Sequence, residues 1–132
     1  MKENDIMLGD WLRRRWTCTD TGREVVKDFQ VTEIHKLGNF LYAWGKNGNM
    51  GRVEQLEPIP LTAEILEKNG FTRFGTDYIL KERHFGLENP SIPSNYLDNY
   101  WLRVSIKAVH IEYIHQLQHA LRLCGIDLDI VI

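Results

Sequence analysis

The sequence predicts an α+β protein in which an N-terminal SH3-like small β-barrel is followed by a short helix, a small antiparallel sheet and one amphipathic C-terminal helix. Three observations predict this class. The first sixty residues alternate β-branched and aromatic runs with Asp, Thr, Asn and Gly turns. The EPIP segment, 57–60, ends that series because proline cannot donate a ladder hydrogen bond. The segment 110–124 has helical periodicity and is followed by Gly125.

The N-terminal domain is predicted to span residues 1–59. Its strands are expected in DWLRRRW, REVVKDFQVTEIHK, FLYAW and RVEQLEPI. Asn47-Gly48 lies between the last two, and both residues tolerate positive φ, so a hairpin is predicted there. Four or five short strands in this length fit a small barrel, since closing a sheet removes its edges.

The second unit, residues 60–132, is predicted to be a small α+β unit packed on the barrel, with one shared core as the alternative. Thr62 is a candidate N-cap for a helix that ends near Gly70. FTRFGTDYILKERHF favours a hairpin around residues 75–77, and residues 86–99 read as a loop. YWLRVSIKAV, 100–109, is predicted as one strand, residues 110–124 as the main helix, and IDLDIVI, 126–132, as a closing strand.

Composition excludes several functional classes. Lys and Arg number 16 against 18 Asp and Glu, a net charge of -2, so the chain is no polycation that would bind phosphate backbones without specificity. The start MKENDIMLGDW lacks the apolar stretch of a secretion signal, and the longest apolar run, FLYAW, is far too short to cross a bilayer. We therefore expect a cytoplasmic protein without membrane contact, with Cys18 and Cys124 as reduced thiols.

The stretch HQLQH, residues 115–119, differs by one residue from the zinc-protease motif H-E-x-x-H. On a helical wheel centred on Ile114, His115 and His119 fall at about 100° and 140°, on the polar face, while Cys124 falls in the apolar arc. Gln116 replaces the glutamate and cannot act as a base. We expect no metal site, and the pair His115 and His119 remains as a weak alternative for a divergent metal-dependent hydrolase.

A second candidate site is the run of arginines and tryptophans near the N-terminus. Guanidinium and indole groups together can hold phosphate and stack on bases. The competing interpretation pairs the arginines with Asp10, Asp20 or Glu24 and places the tryptophans inside the barrel. The candidate binding residues are Trp11, Arg13, Arg14, Arg15, Trp16, Lys46 and Arg52.

Catalytic motifs are not recognisable in the sequence. GKNGNMG, 45–51, is glycine-rich but lacks the Gly-Lys-Ser/Thr ending of a P-loop and is predicted as a hairpin loop. No serine or cysteine stands in a nucleophile motif, and the acidic residues show no paired pattern. We expect no enzymatic activity and no cofactor.

Three segments resemble a family of small uncharacterised proteins of gut bacteria and their phages or mobile elements. They are IMLGDWL with its L-x-x-G-(D/N) start, LEPIPLTAEILEKNGF at 56–71, and IEYIHQLQHALRLCGIDLDI at 111–130. In that family the helix commonly reads Y-(V/I)-H-(Q/E)-L-Q. The resemblance implies that His115, Leu117 and Gln118 belong to a recurring pattern and that position 119 varies. It implies no activity.

The leading hypothesis is a non-catalytic binding or adaptor protein of phage or mobile-element origin. Small barrels with exposed aromatic residues present surfaces for a protein, a peptide or a nucleic acid strand. A nucleic-acid-binding module that uses the basic and aromatic residues is the alternative. The open edge of the predicted C-terminal strand also favours pairing of two copies as a homodimer.

Overall fold

The fold was analysed in a computed structural model that describes residues 5–74, 77–80, 85–88, 100–104 and 107–132. It is an α+β protein built of small antiparallel sheets and two α-helices, as the sequence predicts. The chain divides between Ile59 and Pro60 into two compact units. Packing of the second unit on the first, with one shared core as the alternative, stays a prediction.

The described residues of the first unit, 5–59, contain six short strands. They are β1 Trp11–Thr17, β2 Glu24–Gln30, β3 Glu33–Leu37, β4 Phe40–Trp44, β5 Met50–Arg52 and β6 Glu57–Pro58. They form two three-stranded antiparallel sheets, in the orders β2-β1-β6 and β3-β4-β5. The two sheets share one apolar core, to which Leu12 and Phe29 contribute from the first sheet and Ala43 from the second.

The predicted barrel is therefore present only as two sheets around a common core. Within the part of the chain that the structure describes, the strands do not close into a barrel. The strand predicted in RVEQLEPI is also wrong: a 3-10 turn, Val53–Gln55, separates β5 from β6. Val53 and Leu56 are buried there, so the hydrophobic residues that suggested a strand belong to a turn that packs on the core.

The predicted hairpin at Asn47-Gly48 is confirmed. The 3-10 turn Lys46–Gly48 connects β4 to β5, with φ of 62° at Asn47 and 75° at Gly48. Positive φ at both central residues is typical of the type I′ turns that favour hairpins. Below the turn, the backbone N–H of Gly45 donates to the carbonyl of Asn49 at 2.8 Å.

The second unit holds a five-stranded antiparallel meander, ordered β11-β10-β9-β8-β7. Its strands are β7 Thr72–Phe74, β8 Asp77–Leu80, β9 Phe85–Glu88, β10 Tyr100–Val104 and β11 Lys107–Ile111. Phe74 pairs with Asp77, so the predicted hairpin is confirmed, although residues 75–76 lie outside the described residues. The predicted loop falls mostly on 89–99, which also lie outside them, and 86–88 belong to β9.

The predicted single strand 100–109 is instead a hairpin. β10 pairs with β11 in antiparallel register, with Val104 opposite Lys107. Both halves continue the same period-2 pattern, and no Gly, Pro or Asn marks the reversal in the sequence, so periodicity alone could not show it.

The described residues of this unit also form two helices, α1 Ala63–Lys68 and α2 Ile114–Leu123. The hydroxyl of Thr62 accepts from the N–H of Ile65 at 3.2 Å, which confirms the predicted N-cap. The predicted start of α2 at residue 110 is wrong, because residues 110 and 111 belong to β11. No helix in the described residues is long and apolar enough to span a membrane.

The C-terminal tail, residues 126–132, is not the predicted strand, since none of its residues belongs to a sheet. It is nevertheless packed, with Ile126 and Ile130 buried. Asn69 holds it: its Nδ2 donates to the carbonyl of Val131 at 2.7 Å, and its Oδ1 accepts from the N–H of Val131 at 2.8 Å. A side-chain amide thus satisfies backbone groups that a sheet ladder would otherwise satisfy.

Candidate binding surfaces

Arg13 lies on the outer face of β1, where the strand register sets it opposite Asp28 of β2. Its Nε donates to Oδ1 at 2.8 Å and its Nη2 to Oδ2 at 3.1 Å, a bidentate ion pair. The hydrogen bond to Asp28 is the main cause that raises the pKa of Arg13. The pair is about three-quarters buried, so this guanidinium already has a carboxylate ligand.

Arg15 follows on the same face and lies between two carboxylates. Its Nη1 donates to Glu24 at 3.1 Å and its Nε to Glu57 at 3.2 Å. Hydrogen bonds to Glu24 and then to Glu57 raise the pKa of Arg15. The outer face of this sheet therefore sets two guanidinium groups against three carboxylates, which disfavours phosphate binding there.

Arg14 and Arg52 are placed on aromatic rings. The Cζ of Arg14 lies 4.3 Å from the ring centroid of Trp16, and the Cζ of Arg52 lies 3.5 Å from that of Phe40. Arg52 also forms an ion pair with Glu54. The structure thus stacks Arg14 on Trp16 and pairs the other three predicted arginines with acids.

Trp11 and Lys46, two further predicted binding residues, lie beside one cavity. They line a notch with a volume of about 310 Å³ between the end of β2 and the loop 45–49. We call it the Trp11 notch. Its other lining residues are Asp28, Phe29, Gln30, Thr32, Asn47 and Asn49. Among the described residues Lys46 makes no ion pair, whereas Asp28 is taken by Arg13.

A second surface was missed at the sequence level. Phe40, Tyr42 and Trp44 alternate along β4 with Leu41 and Ala43, which pack on the core, so the three rings share the opposite face of the sheet. We call this the aromatic face. The period-2 pattern of FLYAW is the sequence signal for this face, because alternate residues of a strand lie on the same side of a sheet.

The rings of the aromatic face are partly exposed and contact one another. The centroids of Tyr42 and Trp44 are 5.8 Å apart, and His35 meets Trp44 edge-on at 5.3 Å. Phe40 is 42% exposed and neighbouring Leu37 is 53% exposed. Aromatic residues on an open sheet face are typical of surfaces that bind bases or protein partners.

The prediction that both histidines face solvent is wrong for His115, whose exposed fraction is only 6%. The predicted place of Cys124 in the apolar arc of the helix is also wrong, because Cys124 is exposed. His115 stacks on Tyr113 with centroids 6.0 Å apart and meets His119 edge-on at 5.6 Å. Gln118 is buried too, so α2 is covered over a wider arc than its hydrophobic pattern indicates. Within the described ranges, no three His, Cys, Asp or Glu side chains are grouped to hold a metal ion.

Gln116, the residue that distinguishes HQLQH from the zinc motif, caps the N-terminus of α2. Its Oε1 accepts from the backbone N–H groups of Glu112, at 2.8 Å, and Tyr113, at 3.1 Å. This is the side chain at N3 reaching back to the N-cap, one half of a capping box. The position therefore serves the local structure of the helix start.

Replacing Gln116 tests that role. We expect Gln116→Ala to lower the free energy of unfolding by about 1–2 kcal/mol, since two backbone donors lose their acceptor. Gln116→Glu keeps the acceptor, adds a favourable charge at the helix N-terminus, and recreates H-E-x-x-H. Its stability in urea should equal or exceed that of the wild type. A melting temperature raised by zinc in Gln116→Glu or in the wild type would instead support a metal site.

Both cysteines are free thiols. Cys18 lies at the turn after β1, where its backbone N–H donates to the carbonyl of Arg23 at 2.8 Å. The hydrogen bond from Thr21 is the main cause that lowers the pKa of the Cys18 thiol. Cys124 is exposed at the end of α2.

Comparison with known proteins adds no assignment. No protein-family model matches the sequence, and no curated protein or solved structure matches it.

Proposed function

We propose that the chain is a non-catalytic binding protein whose first unit is an SH3-like barrel that holds a short extended peptide in the Trp11 notch. The observation that carries the proposal is the notch itself, where an indole, an ammonium group and several amides converge. The family resemblance supports an origin in a phage or mobile element, and we propose an adaptor role in the cytoplasm.

The order of the strands supports the barrel. β1 pairs with β2, the chain then passes through the meander β3-β4-β5, and after the 3-10 turn Val53–Gln55 it returns as β6 to pair with β1. Only Val31 and Thr32 separate β2 from β3. The chain therefore bends from β2, an edge strand of the first sheet, directly into β3, an edge strand of the second. A last strand that returns to the first is the arrangement of a small, partly open barrel.

The lining of the notch suits a peptide. Trp11 offers a half-buried ring for an apolar side chain. The Thr32 hydroxyl donates to the carbonyl of Trp44 and the Asn49 amide to that of Lys46, and the side-chain oxygens of Thr32 and Asn49 are groups that accept hydrogen bonds. Lys46 adds one positive charge. The volume of the notch lies at the small end of the range for ligand sites, roughly 300–1,000 Å³, which is room for one or two side chains.

The test is selection from a phage-displayed library of linear dodecapeptides on the wild-type protein. The resulting consensus peptide is synthesised and titrated by calorimetry against wild type, Trp11→Ala and Lys46→Glu. As a control we take Leu123→Ala, because Leu123 is 89% exposed at the end of α2. We expect a loss of about tenfold or more in both notch variants, the scale of a lost aromatic anchor or ion pair, and none in the control. Selection without a consensus, or a consensus that both notch variants bind unchanged, would sink the proposal.

The aromatic face favours a second candidate, binding of a single nucleic acid strand. Tyr42 and Trp44 could stack bases, with Arg52 near the backbone. Three carboxylates, those of Glu33, Glu54 and Glu57, lie on or near the two sheets of this unit and weaken that attraction. Salt-dependent binding of an oligothymidylate that is lost in Trp44→Ala, with Trp11→Ala unaffected, would favour this candidate over the peptide.

A further inference from the structure

The backbone hydrogen bonds around Val31 show which way β2 presents its polar groups. The N–H of Val31 donates to the carbonyl of Asp10 at 2.8 Å, and its carbonyl accepts from Gly9 at 2.7 Å, so both groups of Val31 point toward the β1 side. Backbone groups two residues apart in a strand point the same way. The backbone N–H and C=O groups of Phe29 and Lys27 therefore point toward β1. Those of residues 26, 28 and 30 point outward, away from β1.

At one end of β2 these outward groups are covered. The N–H of Thr32 donates to the carbonyl of Trp44 at 2.7 Å. The carbonyl oxygen of Gln30 stands 2.8 Å from where a Cβ on Gly45 would lie, so the loop 45–49 closes over it. The residues of β2 that precede Gln30 are not covered by this loop. In the described part of the chain β2 pairs only with β1, which leaves the outward backbone groups of Val26 and Asp28 without a partner strand.

The Trp11 notch lies where this cover ends, because Asp28 and Gln30 line it on one side and the loop 45–49 on the other. Outward N–H and C=O groups that recur every second residue are matched by another extended polypeptide backbone. We propose that the peptide adds to β2 as a fourth strand of the sheet β2-β1-β6, with an acidic side chain set toward Lys46. This inference rests on the proposed function and specifies its binding mode.

The charge of the notch favours an acidic side chain on the peptide. The carboxylate of Asp28 is held by Arg13, so Lys46 is the unbalanced charge among the residues that line the notch. A peptide carboxylate beside Lys46 restores neutrality, whereas a basic residue there meets a like charge.

A second copy of β2 fits this edge poorly. The outward backbone groups of β2 belong to even-numbered residues, so two copies of this edge pair antiparallel only when even-numbered residues face even-numbered ones. The two-fold axis that relates the copies then passes at a residue, which lies opposite the same residue of the other copy. Centred on Lys27 or on Asp28, the axis sets that residue opposite its own copy; centred on Val26, it sets Glu24 opposite Asp28. Each of these three registers brings like charges together, which destabilises a strand pair.

Val26→Pro tests the added strand directly. Proline at position 26 removes an N–H that points away from β1, so the β1 ladder keeps its hydrogen bonds, and proline is tolerated on an edge strand in that orientation. Val26→Ala is the matched control, since it trims the side chain and keeps the N–H. The probe is the consensus dodecapeptide of the selection above, made with a free backbone and in two forms N-methylated at alternate residues, one form for each edge of the peptide.

We expect Val26→Pro to weaken binding about tenfold or more while Val26→Ala binds as wild type, and one of the two N-methylated forms to fail while the other binds. Amide exchange at Asp28 should slow when the peptide is bound. If the free peptide binds with its dependence on Trp11 but tolerates Val26→Pro and both N-methylated forms, the added strand is wrong and the proposed function stands. A consensus without Asp or Glu overturns the charge assignment, and no consensus overturns both proposals.

Discussion

Deletion of residues 126–132 is expected to yield a protein that no longer unfolds cooperatively. Ile126 and Ile130 are 9% and 1% exposed, and burying such a side chain contributes roughly 1.5–3 kcal/mol. Their loss removes about 3–6 kcal/mol from the roughly 5–15 kcal/mol available to a small domain. Thermal denaturation followed by circular dichroism, together with binding of a hydrophobic dye, measures the effect.

Point variants separate the contribution of the tail's anchor from that of its apolar residues. Asn69 is buried, and besides its two bonds to Val131 its Nδ2 donates to the carbonyl of Ile65 at 2.7 Å. Asn69→Ala is therefore expected to cost about 2–3 kcal/mol, since several backbone groups lose a partner. Asp129→Ala changes an exposed residue of the same tail and should cost under about 0.5 kcal/mol. A truncated chain that melts cooperatively would show that the tail is dispensable.

Gly45→Ala is expected to disrupt the Trp11 notch. A Cβ at this position would lie 2.6 Å from Cδ2 of Phe29 and 2.8 Å from the carbonyl oxygen of Gln30. Phe29 is buried in the core and the Gln30 oxygen belongs to the backbone, so neither can move aside easily. We expect a loss of about 1–3 kcal/mol in stability, the usual cost of overpacking, and weaker binding of the selected peptide because the loop must shift.

Gly38→Ala is the matched control for that variant. Gly38 has φ of 61° and nothing within 4 Å of an added Cβ, so alanine there carries only the backbone cost of about 1 kcal/mol. It lies in the β3–β4 turn and should leave peptide binding unchanged. Equal effects of the two variants on binding would mean that the loop 45–49 does not shape the site.

The candidate site was only partly accessible to sequence reasoning. Trp11 and Lys46 were selected for their chemistry, and both line the notch. Thr32, Asn47 and Asn49 were not selected as binding residues, because their position beside β2 depends on how β4 and β5 return to that strand. Arg13 was selected as a cation for phosphate, and the β1–β2 register placed it opposite Asp28 instead.

Local signals were enough for several elements of this protein. A hydroxyl before a helix, as at Thr62, and an Asn-Gly pair in a hairpin, as at Asn47 and Gly48, act within a few residues, so the sequence alone determines those structures. The α+β class follows in the same way from the two kinds of hydrophobic period.

Tertiary structure decided the features that depend on residues far apart in the chain. The tail 126–132 has the alternation of a strand, yet it lies outside the described sheets, and Asn69, more than fifty residues earlier, satisfies the backbone groups of Val131. His115 has a polar position on the helical wheel and is buried nonetheless. In each case the partner that satisfies a polar group is chosen by three-dimensional packing, and the spacing of residues along the chain carries no record of that choice.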